Sequence, residues 1–255
     1  MIITIKPGFN NNYNKLFRLF AHIKCRFTGQ VHDYTKIPVI INNFNRLEYL
    51  KKQIDWLENA RMKNIYIIDN ASSYPPLLEY YKKCKYIIFR LTENTGHTAL
   101  WDTHIYLWFK NTPYIYTDPD ILPDENCPLD AVKYFKKILE ERPEITKIGF
   151  GLKIDDIPDY NHRKEEIINW EKKYWENEIT PDLYKAKIDT TFALYKANAR
   201  YQQWDTTLRT GGKYIARHLP WYEDPAQVSD EEIYFKKITT DISSWYKKQD
   251  NDYNG

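Results

Sequence analysis

The sequence predicts an α/β fold in which a mixed, mostly parallel sheet is flanked by helices. Short apolar runs recur along the first half of the chain. Each run is followed by a polar loop, and then by apolar residues spaced three or four positions apart, which is typical of an amphipathic helix. This alternation indicates parallel strands joined by right-handed crossovers. The predicted strands are residues 37–41, 64–68, 86–91 and 114–117.

The other elements follow from the same two periodicities. Leu47, Leu50, Ile54 and Leu57 predict a helix after the first strand. A second helix opens at a Pro-Pro pair, because proline is tolerated in the first turn of a helix. The further predicted helices are 73–81, 98–110, 130–141 and 165–178, and the further predicted strands are 1–5, 148–152, 192–195 and 215–217.

Two carboxylates follow the predicted strand 114–117 directly. Asp118 and Asp120 lie in a turn in which Pro119 and Pro123 prevent further regular pairing. In parallel sheets the ligand lies beyond the carboxyl ends of the strands. Two carboxylates at that edge can bind a divalent cation that also binds substrate phosphates. The alternative is an ordinary strand-ending turn, since Asp and Pro are common turn residues.

Four segments, in the same order along the chain, carry a family resemblance. The sequence resembles GT-A fold glycosyltransferases, most closely those of the glycosyltransferase family 2 type. The segments are PVIINNFNR at 38–46, IYIIDNASS at 65–73, ENTGHTALW at 93–101 and YTDPDILP at 116–123, with a looser likeness at 188–196 and 216–224.

This resemblance implies the GT-A fold, which is Rossmann-like, and a division of one compact domain into two halves. Residues 36–125 are expected to bind the donor and residues 126–255 the acceptor, with residues 1–35 as an N-terminal extension. The implied activity is transfer of a sugar from a nucleotide-sugar donor to a glycan or lipid-linked saccharide acceptor. A UDP-sugar is the expected donor, and Mn²⁺ or Mg²⁺ is the expected cofactor.

The resemblance also implies which residues bind the donor and the metal. Asp118 and Asp120 match the metal-binding Asp-x-Asp, and His218 is expected to complete the metal site. Asp69 matches the position that accepts a hydrogen bond from the base, and a carboxylate suits the N3–H of uracil. The other expected nucleotide-binding residues are Asn42, Asn43, Asn45, Arg46, Asn70, Asn94, Gly96, His97 and Trp101, together with Asp118.

Most of these residues also have a structural interpretation. Asn42, Asn43 and Asn45 are expected on the first loop, where Asn favours tight turns. Arg46 can bind local carbonyl groups, and His97 and Trp101 can pack against the domain. Strand alternation places Arg217 and His218 on opposite faces, so only one of them can point into the site. His218 can equally be a hydrogen-bonded structural histidine.

The catalytic base is the least determined assignment. An inverting transferase needs a carboxylate that deprotonates the attacking hydroxyl. Asp189, just before the predicted strand 192–195, is the first candidate, and Asp224 and Glu231 in an acidic stretch are the others. The xED motif of the family is not clearly present. Inversion is therefore the expectation, and retention stays open.

Composition restricts the class of partner and the compartment. A net charge of +2 gives no electrostatic footprint for nucleic acid. Three scattered cysteines are expected as free thiols in a reducing compartment. We expect neither a signal peptide nor a transmembrane span, and hence a cytoplasmic protein. Residues 14–27 predict a basic amphipathic helix, which either packs on its own domain or contacts a membrane peripherally.

Two rival functions share the predicted fold. A sugar-nucleotide pyrophosphorylase also uses a carboxylate–metal site, but it normally opens with a basic, glycine-rich loop, and residues 37–46 contain no glycine and one arginine. A catalytically inactive carbohydrate-binding or assembly protein is the second, because fold does not determine function. The retention of both Asp118 and Asp120 argues against the second.

Overall fold

The computed structural model describes residues 1–7 and 31–239. Within them, eleven strands form one sheet in the order β1-β4-β3-β2-β5-β10-β7-β11-β9-β8, with β6 paired to β11. The strands are β1 (Ile2–Ile5), β2 (Val39–Asn43), β3 (Ile65–Asp69), β4 (Ile87–Leu91), β5 (Tyr114–Thr117), β6 (Ile121–Pro123), β7 (Lys147–Leu152), β8 (Glu178–Thr180), β9 (Leu183–Lys185), β10 (Ala193–Tyr195) and β11 (Thr207–His218).

Helices join these strands and lie against the sheet. They are α1 (Glu48–Asn59), α2 (Pro75–Lys83), α3 (Ala99–Asp102), α4 (Ala131–Glu141), α5 (Lys164–Glu171) and α6 (Asp230–Thr239), with short 3₁₀ turns at Tyr34–Lys36, Ile105–Trp108, Lys172–Trp175 and Leu219–Tyr222.

The first five strands of the sheet order, β1-β4-β3-β2-β5, are all parallel. Every residue of β2 and β5 is buried, so both faces are covered at the centre of the sheet, as is typical of parallel strands. In β2, Val39 and Ile41 pack into one apolar cluster with α1 and α4, and Ile40 packs into a second cluster on the other face. The fold class expected from the resemblance, a mixed α/β sheet flanked by helices, is confirmed.

The second half of the sheet mixes directions. β10 is antiparallel to both of its neighbours, β5 and β7, and β11 is parallel to β7. β11 shifts register between Thr210 and Ile215, where Gly212 has a φ of 55°. Beyond that bend β11 pairs with β6, and His218 lies opposite Ile121. This pairing brings the end of β11 to the turn that carries Asp120.

Two predicted helices are wrong in extent. The helix predicted over 98–110 ends at Asp102, because Thr103 Oγ1 donates to the Ala99 carbonyl (2.6 Å) and His104 adopts a left-handed φ of 61°. The helix predicted over 165–178 ends at Glu171, whose carboxylate forms a buried ion pair with Arg209 of β11 (2.9 Å). The first helix therefore ends where the local backbone changes, and the second ends at a residue held by a long-range ion pair.

Two expectations concern membranes. The predicted amphipathic helix at 14–27 lies outside the described residues. Among residues 1–7 and 31–239, no helix has both the length and the apolar character needed to span a bilayer.

Candidate active site

Polar side chains end three neighbouring strands of the parallel half. β2 ends in Asn42 and Asn43, β3 ends in Asp69, and Asp118 follows β5 directly. Asn43 is in register with Asp69, so the two strand ends adjoin. Asn42 and Asn43 were expected on the first loop, and that placement is wrong. They belong to β2, because its hydrogen-bonded ladder with β3 continues to its last residue.

The turn after β5 is held from two sides. On one side Gln53 of α1, which is fully buried, donates to the carbonyl oxygens of Asp118 (2.9 Å) and Ile121 (2.8 Å). On the other side the Asp118 amide donates to the Thr190 carbonyl (3.1 Å), and Thr190 Oγ1 donates to the Asp118 carboxylate. The first carboxylate is therefore fixed in direction.

The pKa values of Asp118 and Asp120 are shifted in opposite directions. Burial, reinforced by the adjacent Asp120, raises the pKa of Asp118 well above its usual value. Burial also acts to raise the pKa of Asp120, but the imidazole of His218 and the guanidinium of Arg46 outweigh it and lower that pKa. Asp118 therefore lacks the compensating positive charge that His218 and Arg46 give to Asp120.

His218 supplies the third polar group of this turn. Its Nε2 lies 3.4 Å from Asp120 Oδ2, and its buried Nδ1 has no hydrogen-bond partner among the described residues. The preceding Arg217 points to the other face, where it pairs with Asp124 (3.1 Å) and Asp156 (2.6 Å). Strand alternation thus selects His218, rather than Arg217, as the residue that faces the Asp-x-Asp turn.

The donor set fits a divalent cation in its chemistry. Carboxylate oxygens suit Mn²⁺ and Mg²⁺, and imidazole suits Mn²⁺. A cation here would supply the positive charge that the Asp118–Asp120 pair lacks. Among residues 1–7 and 31–239, no three His, Cys, Asp or Glu side chains are gathered closely enough to hold a metal alone. The remaining ligands would have to come from the substrate or water.

Asp69 is fully buried, and one of its two carboxylate oxygens accepts no hydrogen bond from the described residues. Its Oδ1 accepts a hydrogen bond from the Ser72 amide (3.0 Å), while Oδ2 lies 3.4 Å from Arg90 Nε and accepts no hydrogen bond from the described residues. Burial raises the pKa of Asp69, and the contacts with Ser72 and Arg90 oppose that shift. The side-chain oxygens of Asn42 and Asn43 are buried and unpaired in the same way. Three acceptors without donors therefore lie at the ends of β2 and β3.

The other asparagines brace the loops. Asn45, with a left-handed φ of 54°, accepts hydrogen bonds from the amides of residues 73 and 74 (2.7 Å each). Asn70 donates to the Gly96 carbonyl (2.8 Å), and Asn94 accepts from the Gly96 amide (2.8 Å). Asn43 donates to the Tyr81 hydroxyl (2.8 Å). These bonds fix the loops after β2, β3 and β4 relative to one another.

The loop after β4 offers one approach for a ligand. Gly96 has a φ of 80°, and a Cβ built on it would meet nothing within 4 Å. The next residue, His97, is exposed, with its ring 5.6 Å from that of Tyr201. Trp101 packs instead, with its ring 4.7 Å from Tyr116. Gly96 and His97 thus border open space, whereas Trp101 supports the layer beneath.

Helix α6 closes over the first loop, which the sequence did not indicate. Arg46 is buried in an ion pair with Glu232, and its guanidinium lies 3.6 Å from the centre of the Phe235 ring. Glu231 accepts hydrogen bonds from the amides of Leu47 (2.6 Å) and Glu48 (3.1 Å), which begin α1. Carboxylates near a helix N-terminus satisfy its unpaired amides. The structure therefore gives Glu231 a capping role.

The remaining base candidates differ in their surroundings. Asp224 accepts from the Ala226 amide (2.8 Å) in its own exposed turn. Asp189 is exposed, accepts a hydrogen bond from the Tyr201 hydroxyl, and adjoins Thr190, which binds Asp118. Asp189 is thus the carboxylate that the structure brings beside the Asp-x-Asp turn. Tyr201 could not have been found from a motif, because it lies on a loop without a recognisable pattern.

Comparisons with known proteins gave similarity at the level of structure alone. No protein-family model and no curated protein sequence matches the chain. Three solved structures of glucosyl-3-phosphoglycerate synthase from Mycobacterium tuberculosis are similar to it. The complex with phosphoglyceric acid gives a TM-score of 0.41 at 9% identity, over 77% of this chain and 64% of that one.

The other two structures hold different ligands. The complex with Mn²⁺, uridine diphosphate and glucosyl-3-phosphoglycerate gives a TM-score of 0.41 at 8% identity, over 76% of this chain and 64% of that one. The complex with Mn²⁺ and UDP-glucose gives 0.39 at 9% identity, over 77% and 63%. The chain spans less than two thirds of the length of these structures. At this identity the likeness extends no further than the general fold.

Proposed function

We propose that this chain is a metal-assisted glycosyltransferase that moves a sugar from a UDP-sugar to a hydroxyl group of a glycan or lipid-linked saccharide, with inversion. The observation that carries the proposal is the placement of two kinds of group at one edge of the sheet. Buried acceptors without donors lie at the ends of β2 and β3, and a carboxylate pair beside a histidine lies after β5. The buried acceptors suit the nucleobase of a donor, and the carboxylate pair with its histidine suits a cation bound to a diphosphate.

The base-binding end is assigned to Asp69. Uracil offers an N3–H donor, and the open Oδ2 of Asp69 is an acceptor within a buried environment. A hydrogen bond to an ionised acceptor is stronger than one to a neutral group. β2 lies between β3 and β5, so Asp69 and Asp118 are separated by two strand spacings, roughly 10 Å. That separation leaves room for a ribose between the base and the diphosphate.

The diphosphate end is assigned to Asp118, Asp120 and His218, which would hold Mn²⁺ or Mg²⁺. When bound, such a cation neutralises the charge on the diphosphate leaving group. Asp120, with its pKa held low by His218 and Arg46 against the effect of burial, is ionised at neutral pH and is the first ligand. Asp118, directed by Thr190, is suited to the ribose or to metal-bound water.

Asp189 is assigned as the base for the acceptor. In the transfer step the acceptor oxygen forms a bond to the anomeric carbon, and the bond from that carbon to the phosphate oxygen breaks with its electron pair on UDP. The acceptor proton passes to the Asp189 carboxylate. The products are the glycoside with inverted configuration, UDP and the protonated base. The exposure of Asp189 and its position next to Thr190 support this role.

The test is a panel of UDP- and GDP-sugars with Mn²⁺ and with glycan and lipid-linked acceptors, in which released nucleotide is measured. We expect UDP release that depends on an acceptor and is lost in EDTA and in Asp120→Ala. Asp55→Asn, an equal charge change on the exposed face of α1, is the matched control and should stay active.

Three outcomes would contradict the proposal. Activity of the Asp118→Ala/Asp120→Ala double variant in EDTA would remove the metal role. Formation of UTP after addition of pyrophosphate would identify a pyrophosphorylase. Saccharide binding without turnover of any nucleotide-sugar would identify a non-catalytic carbohydrate-binding protein.

A further inference from the structure

A lysine lies in the interior of this protein. Lys147, the first residue of β7, has no exposed surface. Lysine is almost never fully buried unless its charge is compensated. Burial is the main cause that lowers the pKa of Lys147 to about 8; Asp189 opposes this shift and Arg209 adds to it. Burial of this ammonium group costs free energy, which its contacts must offset.

The ammonium group of Lys147 binds two separate backbone segments. It donates to the carbonyl oxygen of Ile188 (3.0 Å) and to that of Tyr201 (3.0 Å). The first carbonyl lies before β10 and the second after it. The rings of Trp204, Tyr195 and Tyr201 surround the ammonium, with centres 4.6, 5.1 and 5.4 Å away. Such cation–π contacts are favourable when the cation is desolvated.

These two segments carry the groups that meet at the acceptor side. Asp189 follows Ile188 directly, and the Tyr201 hydroxyl donates to the Asp189 carboxylate. The contacts therefore form a closed ring, from Lys147 through the backbone at 188 and the Asp189 side chain to Tyr201 and back to Lys147. On the side away from Lys147, Thr190 ties the same backbone to Asp118. Asp189 is thus held between the lysine and the Asp-x-Asp turn.

The rest of the segment before β10 is held in the same way. Thr207 Oγ1 donates to the Ala186 carbonyl (2.5 Å), and Arg209 Nε donates to the Lys187 carbonyl (2.7 Å). Arg209 forms an ion pair with Glu171, whereas the charge of Lys147 interacts with that of Asp189. Of these three side chains, Lys147 is the one that donates to the Tyr201 carbonyl itself, while Thr207 Oγ1 also donates to the Trp204 carbonyl (2.9 Å) in the same loop.

We propose that Lys147 is a positioning residue for the base: its ammonium fixes the two backbone segments that direct the Asp189 carboxylate toward the donor sugar. The inference rests on the proposed transferase activity and adds to it a residue without contact to substrate. Lys147 touches neither donor nor metal ligands. Its loss should therefore affect the chemical step and leave donor binding intact.

The test compares Lys147→Met with Lys196→Met. Lys196 also donates to two backbone carbonyls, those of Arg142 (2.8 Å) and Pro143 (3.0 Å), but neither adjoins a site residue. We expect Lys147→Met to lower kcat by about tenfold or more while the Kd for UDP changes by less than about twofold. Lys196→Met should retain the wild-type kcat. Equal kcat values for the two methionine variants would overturn the proposal.

The pH profile separates positioning from simple structural support. As pH rises through about 8, Lys147 loses its charge and its carbonyl bonds weaken, so the wild-type kcat should fall. In Lys147→Arg the guanidinium stays charged, so the decline above pH 8 should disappear. An identical alkaline decline in both proteins would contradict the inference. Tyr201→Phe covers the case in which Lys147→Met does not fold: removal of the hydroxyl should lower kcat about tenfold, and an unchanged kcat would refute the ring.

A measurement without turnover distinguishes this inference from the proposed function. Amide hydrogen exchange should be faster at residues 186–190 and 199–203 in Lys147→Met, and unchanged there in Lys196→Met. Unchanged exchange in Lys147→Met would refute the positioning role even if the protein is a transferase. If exchange is faster in Lys147→Met but the wild type turns over no nucleotide-sugar, the missing turnover refutes the transferase activity and with it the role of Asp189 as a base.

Discussion

Replacing Asp69 by Asn should reverse the preference of the site for uracil over cytosine. The two side chains have the same shape, and the amide oxygen of Asn can still accept from the Ser72 amide, as Oδ1 of Asp69 does at 3.0 Å. The NH₂ group then takes the place of Oδ2, which accepts no hydrogen bond from the described residues and lies 3.4 Å from Arg90 Nε. An acceptor becomes a donor. In the proposed site this NH₂ group would oppose the N3–H of uracil, which is also a donor, and would donate to the N3 lone pair of cytosine.

The magnitude follows from the full burial of Asp69, which leaves no solvent to replace the lost bond. A hydrogen bond to a charged group contributes about 1.5–3 kcal/mol, so UDP affinity should fall roughly ten- to a hundredfold. CDP affinity should rise, because a mismatched contact is replaced by a matched one. The assay is calorimetric titration of UDP and CDP with Mn²⁺, expressed as the ratio of the two Kd values.

The ratio is informative because it cancels the gain that any diphosphate obtains from the loss of a negative charge. Asp55→Asn on α1 has the same change in net charge and should leave the ratio unaltered. A UDP-to-CDP ratio in Asp69→Asn equal to that of the wild type would show that Asp69 does not contact the base. The orientation of the donor in the proposed site would then be wrong.

Three further predictions address the metal, the base and the buried lysine. His218→Ala should weaken Mn²⁺ and UDP binding together by at least about tenfold, because it removes the proposed metal ligand beside Asp120; weaker UDP binding with normal Mn²⁺ binding would contradict this. Glu231→Ala should lower the free energy of unfolding by about 1–2 kcal/mol in urea titrations, since it uncaps α1, with a normal kcat, whereas Asp189→Asn should show the reverse pattern. The pKa of Lys147 is about 8 in the folded protein, against an ordinary lysine value of 10.5, so between these pH values the unfolded chain holds the proton that the folded protein has lost. The free energy of unfolding of the wild type should therefore rise by about 3 kcal/mol relative to Lys147→Met across this window, and a constant difference would refute the lowered pKa.

The parallel half of the sheet could be predicted because its physical signal is local. A strand buried on both faces is apolar at nearly every position, and the four predicted runs match β2 to β5 within two residues at each end. The Asp-x-Asp turn could be predicted in part. Pro119 follows the end of β5, but the expectation that Pro123 also prevents pairing is wrong, because β6 (Ile121–Pro123) pairs with β11 and Pro123 lies opposite Ala216. Even here Asn42 and Asn43 were misplaced, since Asn is a poor strand former and only the pairing with β3 keeps it in β2.

The contacts that complete the site could not be predicted, because they join distant parts of the chain. Lys147 lies one residue before the strand predicted at 148–152, and the local sequence indicated no role for it. The carbonyls that bind it lie 41 and 54 residues further along. The capping of α1 by Glu231 spans 184 residues, and the pairing of Arg46 with Glu232 spans 186. Periodicity within one element carries no information about such partners.

The closure of α6 over the first loop has a consequence for how the protein is made. A chain is synthesised from its N-terminus, and its domains fold in that order. Here the amides that begin α1 and the ring of Phe44 gain their partners, Glu231 and Phe235, only after nearly all the described residues have emerged. Contacts of such long sequence separation form late, because the loop they close must first be ordered. The nascent chain should therefore assemble its parallel strands early and complete the first loop of the proposed site last, when residues 230–239 dock.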